Sequence, residues 1–526
     1  MQRPLGAQIS HMLKDRGVEV IFGIPGVHNQ EMYRGIEESG LQHVLARHEQ
    51  GAGFMADGYA RATRKPGVAY VITGPGLCNI MTPMGQAYSD SVPMLVLSSC
   101  LDDTVAIKGQ LHQMKDQEAA AATVCDWSET ARTPNALYRL VDTALAEFRL
   151  DRPRPKHITV PIAALEAIAD PCPTRVPAHA AMNVPNDVTD VVCDALIAAK
   201  RPLFIFGGGA VDGASVWNNI VAEAQAASFT TYAGRGIVTN NDLHFGSLLA
   251  RASSADVIAS ADVVIAVGTE LSEVDLWRDR LGHQARLIRV DHDPQVINDG
   301  NADIKVCADA GQLAKEVWRK RADWRGGSDW TLAEVADFCA RMRAEINAER
   351  PGILPVVDAL KEALPADTMI FSDMTQFAYA AKEVYPMDRP GHWHHPYGFG
   401  TLGYALPAAI GGKIGVGDKP VIAIAGDYGF QYTLQELMVA VELELTLPII
   451  IWDNGKLGEI EDSMVRAQIA PNAVIQKNPD FVKLGDAYGA ATAAPKTLAA
   501  FQDAVKTALA TKGPTIIHVR SDIASG

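Results

Sequence analysis

Short apolar runs alternate with stretches of helical period along the whole chain. In the first third, three runs are apolar on both strand faces, which is typical of strands in the interior of a sheet: VEVIFG from Val18, GVAYVITG from Gly67 and PMLVLSS from Pro93. Residues 49–63 and 76–88, which lie between these runs, have the period of helices. This alternation predicts a parallel sheet with helices on both faces.

The same pattern recurs in two later blocks. The middle block holds PLFIFGGG, DVVIAVG and RLIRVD, and the last block holds MIFSD, PVIAIAGD and LPIIIWDN. A Pro- and Ala-rich stretch from Asp170 to Val184 and a polar stretch from Arg319 to Asp329, followed by a charged helix, are typical of linkers. Because one hydrophobic core stops growing near ~250–300 residues, we expect three α/β domains: 1–170, a Rossmann-like middle domain at 186–330, and 350–526.

Composition narrows the class of protein. The chain is 48% hydrophobic and 21% charged, as in ordinary globular proteins, and its net charge of −15 argues against binding to nucleic acid. No apolar run approaches the ~20 residues of a membrane span, and the N-terminus lacks the pattern of a signal peptide. Seven cysteines without a CxxC pair indicate reduced thiols. We therefore expect a soluble cytoplasmic protein.

Polar side chains follow two strands of the last block. PVIAIAG leads into Gly426-Asp427-Tyr428-Gly429, and LPIIIWD leads into Asn454-Gly455-Lys456. The carboxyl ends of parallel strands are where open α/β sheets bind ligands. A carboxylate, an amide oxygen and a backbone carbonyl suit Mg²⁺ or Ca²⁺ shared with phosphates, and glycines let backbone amides approach a diphosphate. The alternative is a tight turn that only ends a strand.

Motifs near the N-terminus extend this picture. Arg47-His48-Glu49-Gln50-Gly51-Ala52 opens a helix, and Ile72-Thr73-Gly74-Pro75-Gly76 follows a strand. With the Asp427 and Asn454 motifs in the same order and spacing, the chain resembles the thiamine diphosphate-dependent family of acetolactate synthase, pyruvate oxidase and 2-oxo acid decarboxylases. The resemblance covers essentially all 526 residues. It implies a pyrimidine-binding (PYR) domain, a middle domain and a diphosphate-binding (PP) domain.

The resemblance also implies roles for individual residues. Glu49 would hydrogen-bond N1′ of the cofactor's aminopyrimidine and exchange a proton with it, since burial favours the protonated carboxyl. The alternative is a helix N-terminal carboxylate stabilised by the helix dipole. Asp427, Asn454 and the carbonyl of Lys456 would ligate Mg²⁺. The expected cofactor contacts, besides Glu49, Asp427 and Asn454, are Pro25, Thr73, Asn79, Thr375, Gln376, Gly400, Leu402, Gly426, Tyr428, Gly429, Leu457 and Gly458.

Some of these assignments have alternatives. Leu402 would be the apolar wedge under the bent cofactor, and plain core packing explains it equally well. Two positions depart from the family pattern, because Tyr428 stands where a glycine is usual and Asp453 where an asparagine is usual. Tyr428 adds bulk beside the phosphates and would not tolerate a glycine-only backbone angle. A weakened or inactive cofactor site therefore stays open as an alternative.

The middle block argues against a flavin. Gly207-Gly208-Gly209-Ala210 follows a strand, but Asp212 stands where GxGxxG needs its third glycine, so we do not expect FAD. Simple pyruvate decarboxylases differ as well: this chain has Val27-His28 after the first Pro-Gly turn, a single His at His112, and Ile460 where they carry an acid.

Among family members, GIPGVH, LHQMKDQ, SDMTQFAY and LGEIEDSM look like decarboxylases of 5-guanidino-2-oxopentanoate (2-ketoarginine). A guanidinium substrate calls for a carboxylate partner. We therefore expect substrate contacts from Val27, His28, Glu459, Ile460 and Asp462, and catalytic roles for Glu49, His112 and Gln113. A solvated helix face is the alternative for Glu459, Glu461 and Asp462. A structural histidine is the alternative for His112.

Three functions stay open at this point. The first is non-oxidative decarboxylation, of which the best match is 5-guanidino-2-oxopentanoate to 4-guanidinobutanal and CO₂. The second is an acetolactate synthase-like carboligase, and the third is a non-catalytic binding or regulatory family member. The family places its cofactor between two subunits, so we expect a homodimer at least and a homotetramer by resemblance.

Overall fold

The computed structural model describes residues 1–102, 109–174, 184–299, 301–324 and 327–525. Most of the first predicted linker, residues 175–183, lies outside this described part, as do residues 325–326 of the second and the last residue of the third predicted domain. Each of three large sheets falls inside one predicted domain, while the domain limits themselves stay a prediction.

The first sheet has six parallel strands, and the two central ones are buried except for Cys100 at the end of one, as their apolar sequence predicts. In spatial order the strands are Gln42–Leu45, Val20–Gly23, Gly67–Val71, Met94–Cys100, Lys156–Pro161 and Trp127–Thr130. Its helices are Leu5–Asp15, Gln30–Ser39, Glu49–Thr63, Pro75–Ser89, Gln117–Ala122, Pro134–Leu150 and Ile162–Glu166. A short antiparallel pair, Arg3–Pro4 with Ile168–Ala169, joins the two ends of this region.

The middle sheet has five parallel strands. In spatial order they are Ala227–Thr230, Pro202–Phe206, Val263–Val267, Arg286–Asp291 and Ile304–Cys307. The surrounding helices are Asn186–Ala198, Ala214–Glu223, Ser254–Ala259, Glu273–Leu276, Pro294–Asp299 and Ala310–Arg319.

The last sheet again has six parallel strands. In spatial order they are Trp393–His394, Met369–Ser372, Val421–Gly426, Leu447–Asp453, Pro514–Arg520 and Ala491–Ala493. Its helices are Leu332–Glu349, Ile353–Ala363, Gln376–Val384, Ala405–Val416, Asp427–Tyr432, Leu437–Glu442, Gly458–Arg466, Phe481–Tyr488 and Leu498–Ala510. Three parallel sheets flanked by helices confirm the predicted fold class.

Two helices bring the first and last sheets together. Glu49–Thr63 packs against Ala405–Val416, and glycines permit the close approach because a Cβ at Gly58 would lie 1.9 Å from the carbonyl oxygen of Ala408. A Cβ at Gly411 would equally lie 1.9 Å from the carbonyl oxygen of Met55. Any side chain larger than hydrogen would push the helices apart. The helix that begins at Glu49 is therefore fixed against the last domain.

None of the described helices combines the length and the apolar character needed to cross a membrane.

Candidate active site

Glu49 is the first residue of the helix Glu49–Thr63 and is 9% exposed. His48 caps the helix, because its Nδ1 accepts a hydrogen bond from the Gln50 amide at 3.1 Å. The Asn79 amide donates to Glu49 Oε2 at 2.8 Å. Within the described residues, Glu49 Oε1 accepts no hydrogen bond. Asn79, predicted to bind the cofactor, therefore holds one carboxylate oxygen and leaves the other for a ligand.

The Thr-Gly-Pro-Gly turn has a backbone that only glycine adopts readily. Gly74 has φ +70° and ψ −102°, and a Cβ there would lie 2.2 Å from the His112 carbonyl oxygen. Its amide donates to Gln117 Oε1 at 3.0 Å, while the hydroxyl of Thr73 lies 2.8 Å from that of Ser99. Thr73 thus supports the turn from inside.

Gln117 is a site residue that the sequence reasoning missed. Its Oε1 accepts from the Gly74 amide. Its Nε2 donates to Ser99 O, Ser98 Oγ and Thr159 Oγ1, at 2.7–2.9 Å. It is 8% exposed and has every polar atom of its amide bonded. In the sequence, Gln117 is recognisable only as a glutamine at the start of a helix, four residues after Gln113. Its partners come from three separate segments, so the sequence does not show that they meet.

His28 and His112 form a pair beside this turn. Their rings lie 4.9 Å apart at 71°, and each Nδ1 is buried with no hydrogen-bond partner in the described part of the chain. Burial lowers the pKa of His28, and the charge of a protonated His112 lowers it further. His112 has φ +62°, an uncommon backbone for a residue with a side chain. The structure therefore brings together the predicted substrate residue His28 and the predicted catalytic residue His112.

The residues next to His28 and His112 in the chain differ in burial and in hydrogen bonding. Gln113 Oε1 accepts from the Gln110 amide at 2.9 Å, so this side chain shapes its own loop. Pro25 is exposed, and Val27 is 61% exposed. Both side chains lie within three residues of His28, so this part of the loop is open at the surface.

The predicted metal residues meet at one edge of the last sheet. Strands Val421–Gly426 and Leu447–Asp453 are parallel neighbours, so Asp427 and Asn454 both follow carboxyl ends. Asp427 Oδ2 accepts from the Gly455 amide at 2.9 Å, and Asn454 Oδ1 accepts from the Lys456 amide at 3.2 Å. Asn478, which the sequence reasoning missed, donates to Asp427 Oδ2 at 2.6 Å. Hard oxygen atoms are therefore concentrated on this loop.

The predicted diphosphate residues surround the same loop. Thr375 is buried, and its hydroxyl lies 3.2 Å from where a Cβ at Gly426 would stand. Gln376 Oε1 accepts from Asn454 Nδ2 at 3.0 Å, and its amide packs on Gly458. Leu457 precedes the helix Gly458–Arg466, with its amide donating to Val474 O at 2.8 Å. Two helices thus begin beside the metal loop, and helix N-termini favour anions.

The loop of Gly400 and Leu402 is held from two sides. Asp373 Oδ2 accepts from the Gly403 amide at 2.8 Å, and Leu402 lies 3.7 Å from where a Cβ at Gly429 would stand. From the first domain, Asp90 accepts from the amides of Tyr397 and Gly398 at 3.1 and 3.0 Å. Burial raises the pKa of Asp373 to about 6. Leu402 is half-buried, so it is available to contact a ligand.

The two departures from the family pattern have local explanations. Tyr428 lies in the helix Asp427–Tyr432 and packs edge-on against Tyr432, so it needs no glycine-only angle. Asp453 accepts from His518 Nε2 at 2.8 Å, and this contact is the main cause that lowers its pKa. Burial raises the pKa of Asp427, and the nearby charge of Asp453 raises it further. An added carboxylate therefore stands beside the predicted cation ligands.

The acids after the metal loop are not equivalent. Arg350 binds Glu459 through two hydrogen bonds, and Lys456 binds Glu461. Asp462 is exposed and has no hydrogen-bond or ion-pair partner among the described residues, while Ile460 is 52% exposed. Asp462 follows Gly458 by one helical turn, so it lies on the same helix face as Gly458. Of the predicted acids, Asp462 is therefore the one left available for a ligand.

Comparisons with known proteins agree with this geometry. The thiamine pyrophosphate enzyme family matches in three parts: its N-terminal TPP binding domain over residues 3–120, its central domain over 189–317, and its C-terminal TPP binding domain over 373–519. Together these matches cover most of the chain, which therefore belongs to the thiamine pyrophosphate enzyme family.

Individual relatives cover nearly the whole chain. The probable 2-ketoarginine decarboxylase AruI of Pseudomonas aeruginosa is 41% identical over 98% of this chain and 93% of its own length. The acetolactate synthase isozyme 3 large subunit of Escherichia coli is 28% identical over 93% of this chain and 89% of its own length. The mitochondrial acetolactate synthase catalytic subunit of Saccharomyces cerevisiae is 27% identical over 98% of this chain and 80% of its own length.

The residues present fit thiamine diphosphate. Glu49 has one oxygen without a hydrogen bond from the described residues, which leaves that oxygen able to share a proton with a ring nitrogen. Asp427 and Asn454 provide a carboxylate and an amide oxygen beside two helix N-termini, which suits a divalent cation and a diphosphate.

Proposed function

We propose that this enzyme uses thiamine diphosphate and Mg²⁺ to decarboxylate a 2-oxo acid without oxidation, converting 5-guanidino-2-oxopentanoate to 4-guanidinobutanal and CO₂. The observation that carries the proposal is the buried Glu49, of which the described residues hold one carboxylate oxygen, through Asn79, in a chain 41% identical to a probable 2-ketoarginine decarboxylase. Bound thiamine diphosphate supplies a carbon nucleophile and an electron sink for the bond to the carboxylate.

Each residue group has a distinct part. Glu49 would form a hydrogen bond to the ring nitrogen with the oxygen that no described residue bonds, and would exchange a proton there. Asp427, Asn454 and the Lys456 carbonyl would hold Mg²⁺, with Thr375, Gln376 and Gly458 at the diphosphate. Leu402 and Gly400 would support the aminopyrimidine. The remaining proposed cofactor contacts are Pro25, Thr73, Asn79, Gly426, Tyr428, Gly429 and Leu457.

His28 and His112 would contact the 2-oxo acid substrate. His28, whose burial and neighbour favour the neutral form, would accept or donate one hydrogen bond through its Nδ1, which no described residue bonds. His112, whose buried Nδ1 likewise has no partner among the described residues, would hold or move a proton at the substrate carbon, with Gln113 shaping its loop. Val27 and Ile460 would contact the aliphatic part of the substrate.

Asp462 supports the choice of a cationic substrate. A guanidinium pairs most strongly with a carboxylate, and Asp462 is the acid of its helix without an ion-pair partner among the described residues. Glu459, which is paired with Arg350, would line the substrate pocket and would not bind the substrate guanidinium.

The assembly completes the site. By the family pattern, Glu49 from one subunit and Asp427 from another would grip opposite halves of one cofactor, so a homodimer is the minimum and a tetramer is expected. Exposed apolar side chains near both groups, including Val27, Leu111, Phe399 and Ile460, support a covering partner copy.

The test is a product analysis with three acids: 5-guanidino-2-oxopentanoate, the uncharged 2-oxohexanoate, and pyruvate. Release of CO₂ with 4-guanidinobutanal, at the highest kcat/KM for the guanidino acid, supports the proposal. Acetolactate from pyruvate as the main product would favour a carboligase. No product from any acid, with no heat on titration with thiamine diphosphate and Mg²⁺, would favour a non-catalytic member.

A further inference from the structure

Glu436 lies in the last domain but contacts the start of the helix that carries Glu49. It is fully buried, in the turn Leu434–Glu436. The Arg47 amide donates to both carboxylate oxygens, at 3.2 Å to Oε1 and 3.1 Å to Oε2, and the His48 amide faces the same carboxylate. A buried carboxylate from one domain therefore accepts the Arg47 amide and lies beside the His48 amide, just before Glu49 in another domain.

The sequence of the helix allows this contact. A Cβ at Gly51 would lie 2.3 Å from Glu436 Oε1 and 2.4 Å from its Cδ, so the carboxylate rests directly on the first helical turn. Alanine would be the better helix former at this position. Gly51 therefore has a lower helix propensity than alanine, but it leaves space for the Glu436 carboxylate.

The turn that carries Glu436 also contacts the loop of Leu402. The Thr433 hydroxyl donates to the Gly403 carbonyl at 2.8 Å, and the Glu436 amide donates to the Thr433 carbonyl at 3.0 Å. One short segment thus touches Gly403 on one side and the segment before Glu49 on the other. The carboxylate also lies at a helix N-terminus, where the helix dipole favours its charge and opposes the effect of burial.

We propose that Glu436 is a positioning residue, which sets the place of the Glu49 carboxyl by holding the backbone amides of Arg47 and His48. This role for Glu436 rests on the proton exchange proposed for Glu49. Glu436 accepts with two oxygens, and a glutamine side chain has only one acceptor oxygen. Glu436→Gln would therefore turn an N–H group toward the Arg47 amide and loosen the segment before Glu49.

The test combines hydrogen–deuterium exchange with kinetics on the full-length holoenzyme. In Glu436→Gln we expect the peptide covering Arg47 and His48 to exchange about tenfold faster. We also expect kcat to fall about tenfold, with KM and the dissociation constant of thiamine diphosphate changed less than twofold. Glu442→Gln is the matched control, because Glu442 binds the guanidinium of Arg47 and not its backbone, and it should leave both readings unchanged.

Gly51→Ala provides a second route if Glu436→Gln does not fold. Its methyl group would displace the carboxylate without removing it, so the same faster exchange and lower kcat are expected. Unchanged exchange at Arg47 and His48 in whichever variants fold would overturn the proposal. Full activity of Glu49→Gln would instead remove the proposed role of Glu49, and the exchange measurement would still test the contact itself.

Discussion

The guanidinium of Arg350 binds both oxygens of the Glu459 carboxylate, with Nε to Oε1 at 3.0 Å and Nη2 to Oε2 at 3.2 Å. The two side chains are 20% and 30% exposed, so the pair is largely shielded from water. Two parallel hydrogen bonds of this kind are the strong form of a guanidinium–carboxylate contact. The helix after the metal loop therefore already binds a guanidinium of its own chain, and a guanidino substrate needs a different acid.

Asp462→Asn should reduce kcat/KM for 5-guanidino-2-oxopentanoate by about 10- to 100-fold, since a hydrogen bond to a charged group contributes ~1.5–3 kcal/mol. The value for 2-oxohexanoate should not change, because that chain carries no charge. Steady-state kinetics with both acids measure the ratio. An equal loss for the two substrates would remove Asp462 from the recognition of the guanidinium.

Glu459→Gln should instead lower stability, because it leaves the partly buried Arg350 with a neutral partner. We expect a lower melting temperature by thermal unfolding, with Asp462→Asn as the comparison that stays near wild type. A Glu459→Gln protein with unchanged melting temperature and a selective loss of guanidino substrate would reverse the roles of the two acids.

Glu49→Gln should retain the fold and lose turnover by about 10²- to 10⁴-fold, the range of general acid–base catalysis. The amide keeps the shape of the side chain but cannot exchange the proton. Circular dichroism would confirm folding, and kcat would report the chemistry. Glu37→Gln, on an exposed face of the same domain, is the control and should match wild type. Wild-type kcat in Glu49→Gln would refute the proton role.

Asp427→Asn should weaken the activation by Mg²⁺ at least tenfold, because it removes the negative charge from the proposed ligand set. Activity is measured against Mg²⁺ concentration after removal of metal with EDTA. Asp453→Asn should have a smaller effect, since Asp453 is held by His518. If Asp427→Asn has the same Mg²⁺ dependence as wild type, the cation is bound elsewhere.

The pH dependence of stability should change in Glu436→Gln. Burial raises the pKa of Glu436 to about 7, above its ordinary value near 4.5, against the effect of the Arg47 and His48 amides. The folded state then binds more protons than the unfolded state between these values. The stabilisation from this group is therefore complete below about pH 4.5 and is lost as pH rises through about 7.

The difference in melting temperature, Glu436→Gln minus wild type, should accordingly rise between pH 5 and pH 8. Other groups that face this carboxylate, namely Arg47, His48 and Glu49, are present in both proteins and largely cancel in the difference. Differential scanning calorimetry at four pH values measures it. A difference that is constant or falls with pH would show that Glu436 does not have a raised pKa in the folded state.

Local pattern predicted much of this structure. The apolar runs from Val18 to Leu447 are strands, because burial on both faces leaves a continuous apolar run in the sequence, and the helix over 49–63 has the predicted bounds. Asp427 and Asn454 were placed at neighbouring strand ends for the same reason. These features depend on residues close together in the chain.

Contacts between distant segments were not predictable in this way. Gln117, Asn478 and Glu436 contact partners 43, 51 and 389 residues away. The pairing of Glu459 with Arg350, 109 residues apart, also left no periodic signal. Such polar contacts are determined by the packing of whole domains, so one sequence does not reveal them.

The central claim is that Glu49 and the Asp427–Asn454 loop hold opposite halves of one thiamine diphosphate. Isothermal titration of the purified protein with thiamine diphosphate, with and without Mg²⁺, tests it most directly. We predict binding near one cofactor per chain that requires Mg²⁺ and is weakened at least tenfold in Asp427→Asn. Binding that is absent in wild type, or that is equally tight without Mg²⁺ and in Asp427→Asn, would contradict the account.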